Sequence, residues 1–251
     1  MKKINFSTNK VFCKTDKEVH TAKLIVGSDG MNSKIRELSK ISYRSWSYNQ
    51  TAVVANFKTS INESCIKQTF TSIGPLALLP INDRESTMIW SIDDDVSYKF
   101  LSMSDEEFTN EVVNKFGEQI GKLEMISKRQ HFPLHHLSAK TFAKKGVFLV
   151  GDSAHHIHPL AGLGLNSGIG DVICLSELIE SNGLENLEEL ISAYNRKRIP
   201  INLGLAASME AFKRGFGQKN IWMKLFRNTA FNIANKISPL KKKFMELATE
   251  L

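Results

Sequence analysis

The stretch that decides the fold is GVFLVGDSAHHIHPLAGLGLNSGIGD, residues 146–171. It opens with a short apolar run that ends at Gly151-Asp152, a pattern typical of a buried strand that stops at a turn. A loop then turns at Pro159 and continues to Asn166, and a helical pattern covers residues 169–180. The glycines around the predicted helix start are Gly162, Gly164 and Gly168. Glycine lets backbone N–H groups approach a ligand oxygen, and a helix N-terminus favours negative charge, so this stretch predicts a binding loop.

A second strand–turn–helix pattern lies near the amino terminus, in LIVGSDGMNSKIR, residues 24–36. Residues 22–26 predict a strand buried on both faces, and residues 33–38 predict a short helix. Open α/β sheets bind ligands at the carboxyl ends of their strands. Asp29 can therefore accept hydrogen bonds from ribose hydroxyls, while Arg36 favours an anionic group. The alternative is a plain connection in which Asp29 caps the helix, and such turns are common.

The segment between these two motifs has the pattern of an antiparallel sheet. Its runs of strand-forming residues are separated by Gly-Pro and Asn-Asp turns. The predicted strands cover residues 51–58, 67–71, 76–81 and 86–92. A helix with an acidic first turn follows over residues 104–117, and residues 187–250 have a helical period. Two parallel-type strands with helices, beside this sheet, predict an α/β fold combined with an α+β fold.

With both motifs in place, the chain resembles the FAD-dependent aromatic hydroxylases, a family of flavoprotein monooxygenases. Asp29-Gly30 looks like their DG motif, which contacts FAD and is implicated with NAD(P)H. Gly151-Asp152, Pro159 and the run Gly162-Leu-Gly-Leu-Asn166 look like their GD motif, which binds the flavin ribityl chain and ring. Within the family, the ubiquinone-biosynthesis hydroxylases are the most similar. The stretches that carry this likeness are residues 146–177, 193–202, 212–216 and 222–240.

The resemblance implies a truncated FAD-binding fold like that of para-hydroxybenzoate hydroxylase, with an antiparallel-sheet substrate domain and carboxyl-terminal helices. It implies FAD as cofactor, NAD(P)H as reductant, and O2-dependent hydroxylation of a polyprenylated phenol in ubiquinone biosynthesis. Because the cofactor carries the difficult chemistry, no catalytic side chain is assigned. The implied cofactor-binding residues are Asp29, Gly30, Arg36, Gly151, Asp152, Pro159, Gly162, Gly164, Leu165 and Asn166. We expect Phe70, Leu78 and Trp90 to form the apolar wall of the substrate pocket.

Two departures from the family pattern bear on how the chain works. The family begins with a strand–GxGxxG–helix unit for the ADP part of FAD, and this sequence contains no such unit. Leu163 stands where the family usually has Gln, which removes a polar contact near the flavin. We therefore expect a fragment or one half of a split enzyme. The alternative is a non-catalytic remnant, or a subunit that needs a separate GxGxxG-bearing chain.

The same features predict a division of the chain into four parts. They are residues 1–40 with the DG motif, 41–127 with the substrate-binding sheet, 128–185 with the GD motif, and 186–251 with the carboxyl-terminal helices. The whole interpretation requires Asp29 and Asp152 to lie at neighbouring strand ends, directed at one shared dinucleotide.

Three other chemistries fit the sequence less well. A Rossmann fingerprint at residues 162–168 would need a strand ending closer to it and an acidic residue about 20 positions onward. The histidines of the two His-rich stretches are His131, His135, His136, His155, His156 and His158. They lack the Cys or carboxylate partners of a metal site, so no metal is predicted. Ser153 lacks the Gly-x-Ser-x-Gly elbow of a hydrolase.

The net charge of +7 is concentrated towards the carboxyl terminus. Nine basic residues and no acidic one lie between Ala211 and Met245. The apolar residues of a helical face there are Trp222, Leu225, Phe226, Ile233 and Ile237. Such a face either packs on a core or lies on a membrane surface, and the second suits a polyprenylated substrate. Nucleic acid is not expected as a partner, because no recognition motif accompanies the charge.

Further features of the sequence concern its location in the cell. It has no secretory signal, no apolar run long enough to span a bilayer, and three widely spaced cysteines that indicate a reducing compartment. We expect a cytoplasmic protein, peripheral on the inner face of a membrane. Other ubiquinone-pathway proteins and a separate amino-terminal chain are its expected protein partners.

Overall fold

The computed structural model describes residues 2–7, 10–60, 65–117, 120–159 and 162–217. The strands are β1 (Lys3–Ser7), β2 (Lys10–Lys14), β3 (Val19–Ala22), β4 (Ile25–Gly27), β5 (Tyr43–Thr59), β6 (Lys67–Thr71), β7 (Gly74–Asn82), β8 (Glu85–Asp93), β9 (Leu123–Met125), β10 (Gln130–Ala139), β11 (Ala143–Lys144), β12 (Val147–Leu149) and β13 (His155–His156). The helices are α1 (Lys34–Leu38), α2 (Asp94–Ser102), α3 (Asp105–Phe116), α4 (Leu163–Asn182) and α5 (Leu187–Gly217). The predicted helical face from Trp222 to Ile237 lies outside the described residues.

The chain forms two compact units. Unit 1 contains residues 1–46 and 135–213, and unit 2 contains residues 47–134. Both sequence motifs therefore belong to unit 1. The four-part division predicted from the sequence stays a prediction.

Unit 1 contains two small sheets. β1, β2 and β3 form an antiparallel sheet, although residues 1–20 show only weak alternation in the sequence. The second sheet has the order β11-β12-β4, in which β12 and β4 run parallel. The prediction of two parallel strands, one ahead of each motif, is confirmed.

The predicted strand over residues 22–26 differs from the observed one. Ala22 ends β3, and β4 begins only at Ile25. The side chain of Val26 is 40% exposed, so β4 is not buried on both faces as expected. Side chains alternate between the two faces of a strand, and Gly27 is buried on the face opposite to Val26, so only one face of β4 is packed.

The core of unit 1 packs β12 against helices α4 and α5. Val147, Phe148 and Leu149 are fully buried, which confirms the predicted buried strand. Phe148 meets the ring of Tyr194 edge-on, with centroids 5.6 Å apart. Helix α4 begins at Leu163, earlier than predicted, so Gly164, Leu165 and Asn166 lie in its first turn rather than in a loop.

Unit 2 is built on an antiparallel sheet, as predicted. β5, β8, β7 and β6 pair in that order, and β9 adds to the other side of β5. One face of this sheet forms a closed core with helices α2 and α3. Leu78 and Trp90 lie inside this core, and Trp90 packs on Phe100 and Phe108 with centroid distances of 5.0 and 6.0 Å. Their expected place on a pocket wall is wrong, because the alternation of the strands turns them towards the helices; Phe70 is partly exposed.

Local sequence signals predict one of the two helices of unit 2 and miss the other. The predicted helix at residues 104–117 is confirmed as α3, whose capping box joins Ser104 and Glu107. Helix α2 was not predicted. Its N-cap residue Asp93 makes no cap hydrogen bond, because its carboxylate accepts from Gln50 Nε2 at 2.8 Å instead. Within the residues described, none of the helices has both the length and the apolarity that crossing a bilayer requires.

Candidate flavin site

The two motif loops follow the carboxyl ends of two neighbouring parallel strands, so both loops lie at the same end of the sheet. Residues 25–27 of β4 pair in register with residues 147–149 of β12. Asp29 follows β4 by two residues and Asp152 follows β12 by three. The N–H of Val150 donates to the carbonyl of Gly27 at 3.0 Å, which extends the pairing beyond both strands. The prediction that Asp29 and Asp152 lie at neighbouring strand ends is confirmed.

Asp29 organises the turn that follows β4. Its carboxylate accepts hydrogen bonds from the hydroxyl of Ser33 and from the N–H groups of Lys34 and Ile35 at 2.7 and 3.1 Å. Partial burial raises the pKa of Asp29, but the bonds from Ser33, Ile35 and Lys34 outweigh it and leave the pKa below its ordinary value. Asp29 is thus a helix cap, as in the alternative interpretation. The residue is nevertheless exposed at the end of β4, so a ligand can reach its carboxylate.

Arg36 joins the two motif loops instead of facing solvent. Arg36 is 4% exposed as a whole residue, and its guanidinium donates to the carbonyl of Ser153 at 2.8 Å and to that of Met31 at 2.7 Å. The Cζ atom also lies 4.5 Å from the centre of the Tyr43 ring. This geometry favours a structural role over the expected contact with an anionic group, because both terminal nitrogens already bind backbone carbonyls. Gly30, which follows Asp29, lies in the same turn with a left-handed φ of 79°.

The Gly151-Asp152 turn is held against the side of helix α4. A Cβ atom on Gly168 would lie only 3.2 Å from the Cα of Gly151, so glycine at position 168 permits a close approach of two backbones. The Asp152 side chain is 46% exposed, and its Oδ2 lies 2.8 Å from Nδ1 of His156. The hydrogen bond from His156 holds the pKa of Asp152 below its ordinary value despite partial burial, which raises it.

The start of helix α4 is open on the side of its first turn. Gly162, the N-cap residue, has a left-handed φ of 64°, and its N–H donates to the carbonyl of Pro159 at 3.1 Å. No side chain caps the helix, and Cβ atoms built on Gly162 and Gly164 would meet nothing within 4 Å among the described residues. The first N–H groups of a helix have no partners inside it, so this end offers hydrogen-bond donors. Leu165 and Asn166, in the same turn, are exposed.

Three buried polar residues that carry no assignment from the sequence lie under the second motif turn. Asp171, Arg198 and His155 form a buried polar cluster beneath the Gly151-Asp152 turn. One signal was available, since Asp171 is an acidic residue between the apolar runs Ile169-Gly170 and Val172-Ile173. Its partners are distant in sequence, so no local pattern identifies them. Among the described residues, no group of His, Cys, Asp and Glu side chains is arranged to hold a metal ion.

A parallel strand pair with two acidic turns and an open helix N-terminus defines a nucleotide-binding unit of the flavoprotein type. The family model described as "FAD binding domain" matches residues 8–207, and the chain belongs to this family. The family resemblance, the FAD cofactor and the FAD-binding fold expected from the sequence are thereby confirmed.

Curated relatives include a bacterial protein and a human mitochondrial protein. The chain is 31% identical to ubiquinone hydroxylase UbiL of Rhodospirillum rubrum, over 93% of this chain and 56% of the relative. It is 29% identical to the human mitochondrial ubiquinone biosynthesis monooxygenase COQ6, over 94% of this chain and 58% of the relative. The chain thus spans somewhat more than half the length of these relatives.

A solved structure of similar fold is p-nitrophenol 4-monooxygenase PnpA of Pseudomonas putida. It aligns with a TM-score of 0.76 at 16% identity, over 99% of this chain and 66% of that chain. The structure of the Diels-Alderase PyrE3 aligns with the same TM-score at 17% identity, over 99% of this chain and 54% of that chain. Both likenesses concern the fold alone.

Proposed function

We propose that this chain provides the ribityl and ring portion of the FAD site in a monooxygenase that hydroxylates a polyprenylated phenol in ubiquinone biosynthesis. The observation that carries the proposal is the parallel pairing of β4 and β12, which places Asp29 and Asp152 at adjacent strand ends. The named relatives support the reaction class and the pathway. When bound, FAD supplies the redox chemistry, with NAD(P)H as reductant and O2 as the oxygen source.

The residues of the site suit the parts of FAD that the proposal assigns to them. Asp152 is half-exposed and its low pKa keeps it ionised, so it accepts hydrogen bonds from ribityl hydroxyls. The exposed carboxylate of Asp29 is assigned to the ribose hydroxyls. The free N–H groups of the first turn of α4 donate towards the electron-rich edge of the ring, and the absence of Cβ atoms at Gly162 and Gly164 leaves room for it. Arg36 has no direct contact in this proposal.

Flavin binding by the chain is tested most directly with Asp152→Asn. The purified chain is titrated with FAD, and bound flavin is measured by its absorbance after gel filtration and by quenching of its fluorescence. Hydrogen bonds to charged groups contribute about 1.5–3 kcal/mol, so we expect the dissociation constant to rise roughly 10- to 100-fold. Asp83→Asn, the same change in an exposed turn of unit 2, is the matched control and should bind as the unaltered chain does. Equal FAD affinity of Asp152→Asn and the unaltered chain would refute the assignment.

A second candidate is a subunit that binds FAD only with a separate polypeptide carrying the GxGxxG unit. Two observations in unit 1 favour it. Among the described strands β4 pairs only with β12, and Val26 is 40% exposed on one face, although parallel sheets are usually covered on both faces. Helix α4 also presents an apolar stripe at helical spacing, with exposures of 47% to 73%. The stripe consists of Leu165, Ile169, Val172 and Ile173.

This candidate predicts that flavin binding depends on the stripe only when the second polypeptide is present. A GxGxxG-bearing strand–helix segment from a related hydroxylase is co-expressed with the chain, and the copurified flavin is measured. Ile169→Lys should abolish co-purification, because a buried lysine opposes the docking of an apolar partner. Ser181→Lys places the same charge on an exposed position of the same helix and should leave co-purification intact. A chain that binds FAD alone, with no gain from the segment, contradicts the subunit hypothesis.

We further propose peripheral membrane contact through the basic carboxyl-terminal segment, with the polyprenylated substrate drawn from the bilayer. The support is the charge of residues 211–245, which hold nine basic and no acidic side chains. Each basic residue near an anionic surface contributes about 1 kcal/mol, and salt screens the attraction. Sedimentation with vesicles should therefore require phosphatidylglycerol and decline between 50 mM and 500 mM NaCl. Equal binding to purely zwitterionic vesicles would exclude electrostatic attachment.

A further inference from the structure

A buried polar cluster lies beneath the Gly151-Asp152 turn in unit 1. Its centre is Asp171 of α4, which is 0% exposed. Nε of Arg198 on α5 donates to Asp171 Oδ1 at 2.7 Å, and Nε2 of His155 lies 2.6 Å from Oδ2. The N–H of Gly151 also donates to Oδ2, at 2.9 Å. One carboxylate therefore connects two helices, a strand and the motif turn.

Two side chains, His155 and Arg198, hold the Asp171 carboxylate from opposite oxygens. Nδ1 of His155 is buried and has no hydrogen-bond partner among the described residues. Among the described residues, the hydrogen bond of the His155 ring is therefore the one from Nε2 to the carboxylate. Arg198 is the cation that faces the same carboxylate, through Nε at 2.7 Å.

Both donors to Oδ2 of Asp171 flank the predicted ligand residue Asp152. Gly151 precedes Asp152 directly, and His155 follows it by three residues. His156, next to His155 in β13, lies against the Asp152 carboxylate at 2.8 Å. The chain on both sides of Asp152 is therefore held by contacts that end at Asp171, and His156 contacts the Asp152 side chain itself.

The same cluster fixes the beginning of helix α4. Nη2 of Arg198 donates to the carbonyl of Ser167 at 3.0 Å, and the Ser167 hydroxyl donates to Oδ1 of Asn202 at 2.7 Å. Nδ2 of Asn202 donates in turn to the carbonyl of Arg198 at 3.0 Å. Asp171 is thus linked both to the acceptor, Asp152, and to the helix turn that offers the donors.

We propose that Asp171 is a positioning residue of the flavin site, which orients Asp152 and the first turn of α4 through its contacts with Gly151, His155 and Arg198. The proposal rests on the proposed function for its ligand, FAD. Its geometric part concerns the chain's own atoms and can be measured without flavin. Asp171 itself does not touch the cofactor in this proposal.

The central variant is Asp171→Asn, which keeps the size of the side chain. Its amide has one acceptor oxygen, so its NH2 group must face either Arg198 or the donors Gly151 and His155. We expect the Gly151 amide resonance to shift, the pKa of Asp152 measured by carbon NMR to rise towards its ordinary value, and the dissociation constant for FAD to rise at least tenfold.

Arg198→Met added to Asp171→Asn is the rescue. With the guanidinium gone, the amide can turn its NH2 group away and its oxygen towards Gly151 and His155. The double variant should recover the Gly151 resonance and the Asp152 pKa, whereas FAD affinity should recover only in part, because Arg198→Met also removes the donor to the Ser167 carbonyl at the beginning of α4. A residue that only stabilises the fold would regain melting temperature in the double variant without these site-specific recoveries. His155→Leu and His155→Gln form a second pair, in which only glutamine restores a donor to Asp171.

The outcomes separate this proposal from the proposed function. Unchanged Gly151 and Asp152 signals in Asp171→Asn overturn the positioning role, whatever the FAD affinity. Melting recovery without site recovery in the double variant also overturns it. An unaltered chain that fails to bind FAD counts against stand-alone flavin binding, while the NMR comparison still decides the role of Asp171. If Asp171→Asn does not fold, the double variant and the His155 pair supply the same comparison.

Discussion

Replacing Arg36 distinguishes a structural arginine from an anion-binding one. The guanidinium is buried between the two motif loops and donates to the carbonyls of Ser153 and Met31 at 2.8 and 2.7 Å. Arg36→Met retains much of the length and the apolar stem of the side chain while removing both donors. The carbonyl of Ser153 then loses a contact that joins two segments 117 residues apart.

The cost of this change can be estimated from its parts. Each charge-assisted hydrogen bond contributes about 1.5–3 kcal/mol, which gives roughly 3–6 kcal/mol for the pair. The cation–π contact with Tyr43 adds about 0.5–1 kcal/mol. Removing a buried cation also eliminates its desolvation penalty, which returns several kcal/mol of this total. We therefore expect the free energy of unfolding to fall by about 2–4 kcal/mol.

Urea unfolding of the chain without FAD, followed by circular dichroism, measures this loss. Arg44→Met makes the same chemical change at an exposed residue of β5 and should alter the free energy of unfolding by less than about 0.5 kcal/mol. Arg36→Lys should recover only part of the stability, because one ammonium cannot reproduce the planar fork of guanidinium donors. An Arg36→Met chain as stable as the unaltered one, but with weakened FAD binding, would refute the structural role and restore the predicted anion contact.

Three further predictions follow from contacts in unit 1. Gly164→Ala should stabilise the chain by up to about 1 kcal/mol, since its Cβ meets open space and alanine favours helix. Gly168→Ala should fail to stabilise the chain, because its Cβ would press on Gly151. Equal melting temperatures for the two variants would contradict this close approach of Gly168 and Gly151. Tyr194→Phe should lower the free energy of unfolding by about 1–2 kcal/mol in urea, because the buried hydroxyl donates to the carbonyl of Leu149 at 3.0 Å; a change below about 0.3 kcal/mol would show that this bond contributes little. Burial, together with electrostatic repulsion from His156, lowers the pKa of His136 to about 4. Between pH 6.5 and pH 4 the unfolded chain therefore binds a proton at this residue that the folded chain does not bind. Stability should therefore decline as the pH falls through this window, by roughly 1–3 kcal/mol, and His136→Gln should weaken the decline; an identical pH dependence in both proteins would count against this assignment.

The local sequence was sufficient for the elements whose signals lie within a few residues. The apolar run before Gly151 predicts a buried strand, and the Ser104–Glu107 capping box predicts the start of α3, because burial and capping depend on adjacent positions. The two motif turns follow from the same kind of information, whereas the order of the antiparallel strands does not, because β5 pairs with β8 and not with β6, the next strand in the sequence. The partners of a side chain across the fold do not follow from local sequence either. The expectations for Leu78 and Trp90 were wrong because packing decides which face of a strand meets the helices.

The sequence by itself determined that two strand–turn motifs exist and that each ends in an aspartate. Only the tertiary structure decided that Arg36 connects them and that Asp171 supports the second one. The contact of Arg36 with Ser153 spans 117 residues, and the bonds of Asp171 to His155 and Arg198 span 16 and 27. The physical reason is that hydrophobic periodicity and turn chemistry act locally, whereas a buried polar group must find its partner wherever folding brings a donor within hydrogen-bond distance.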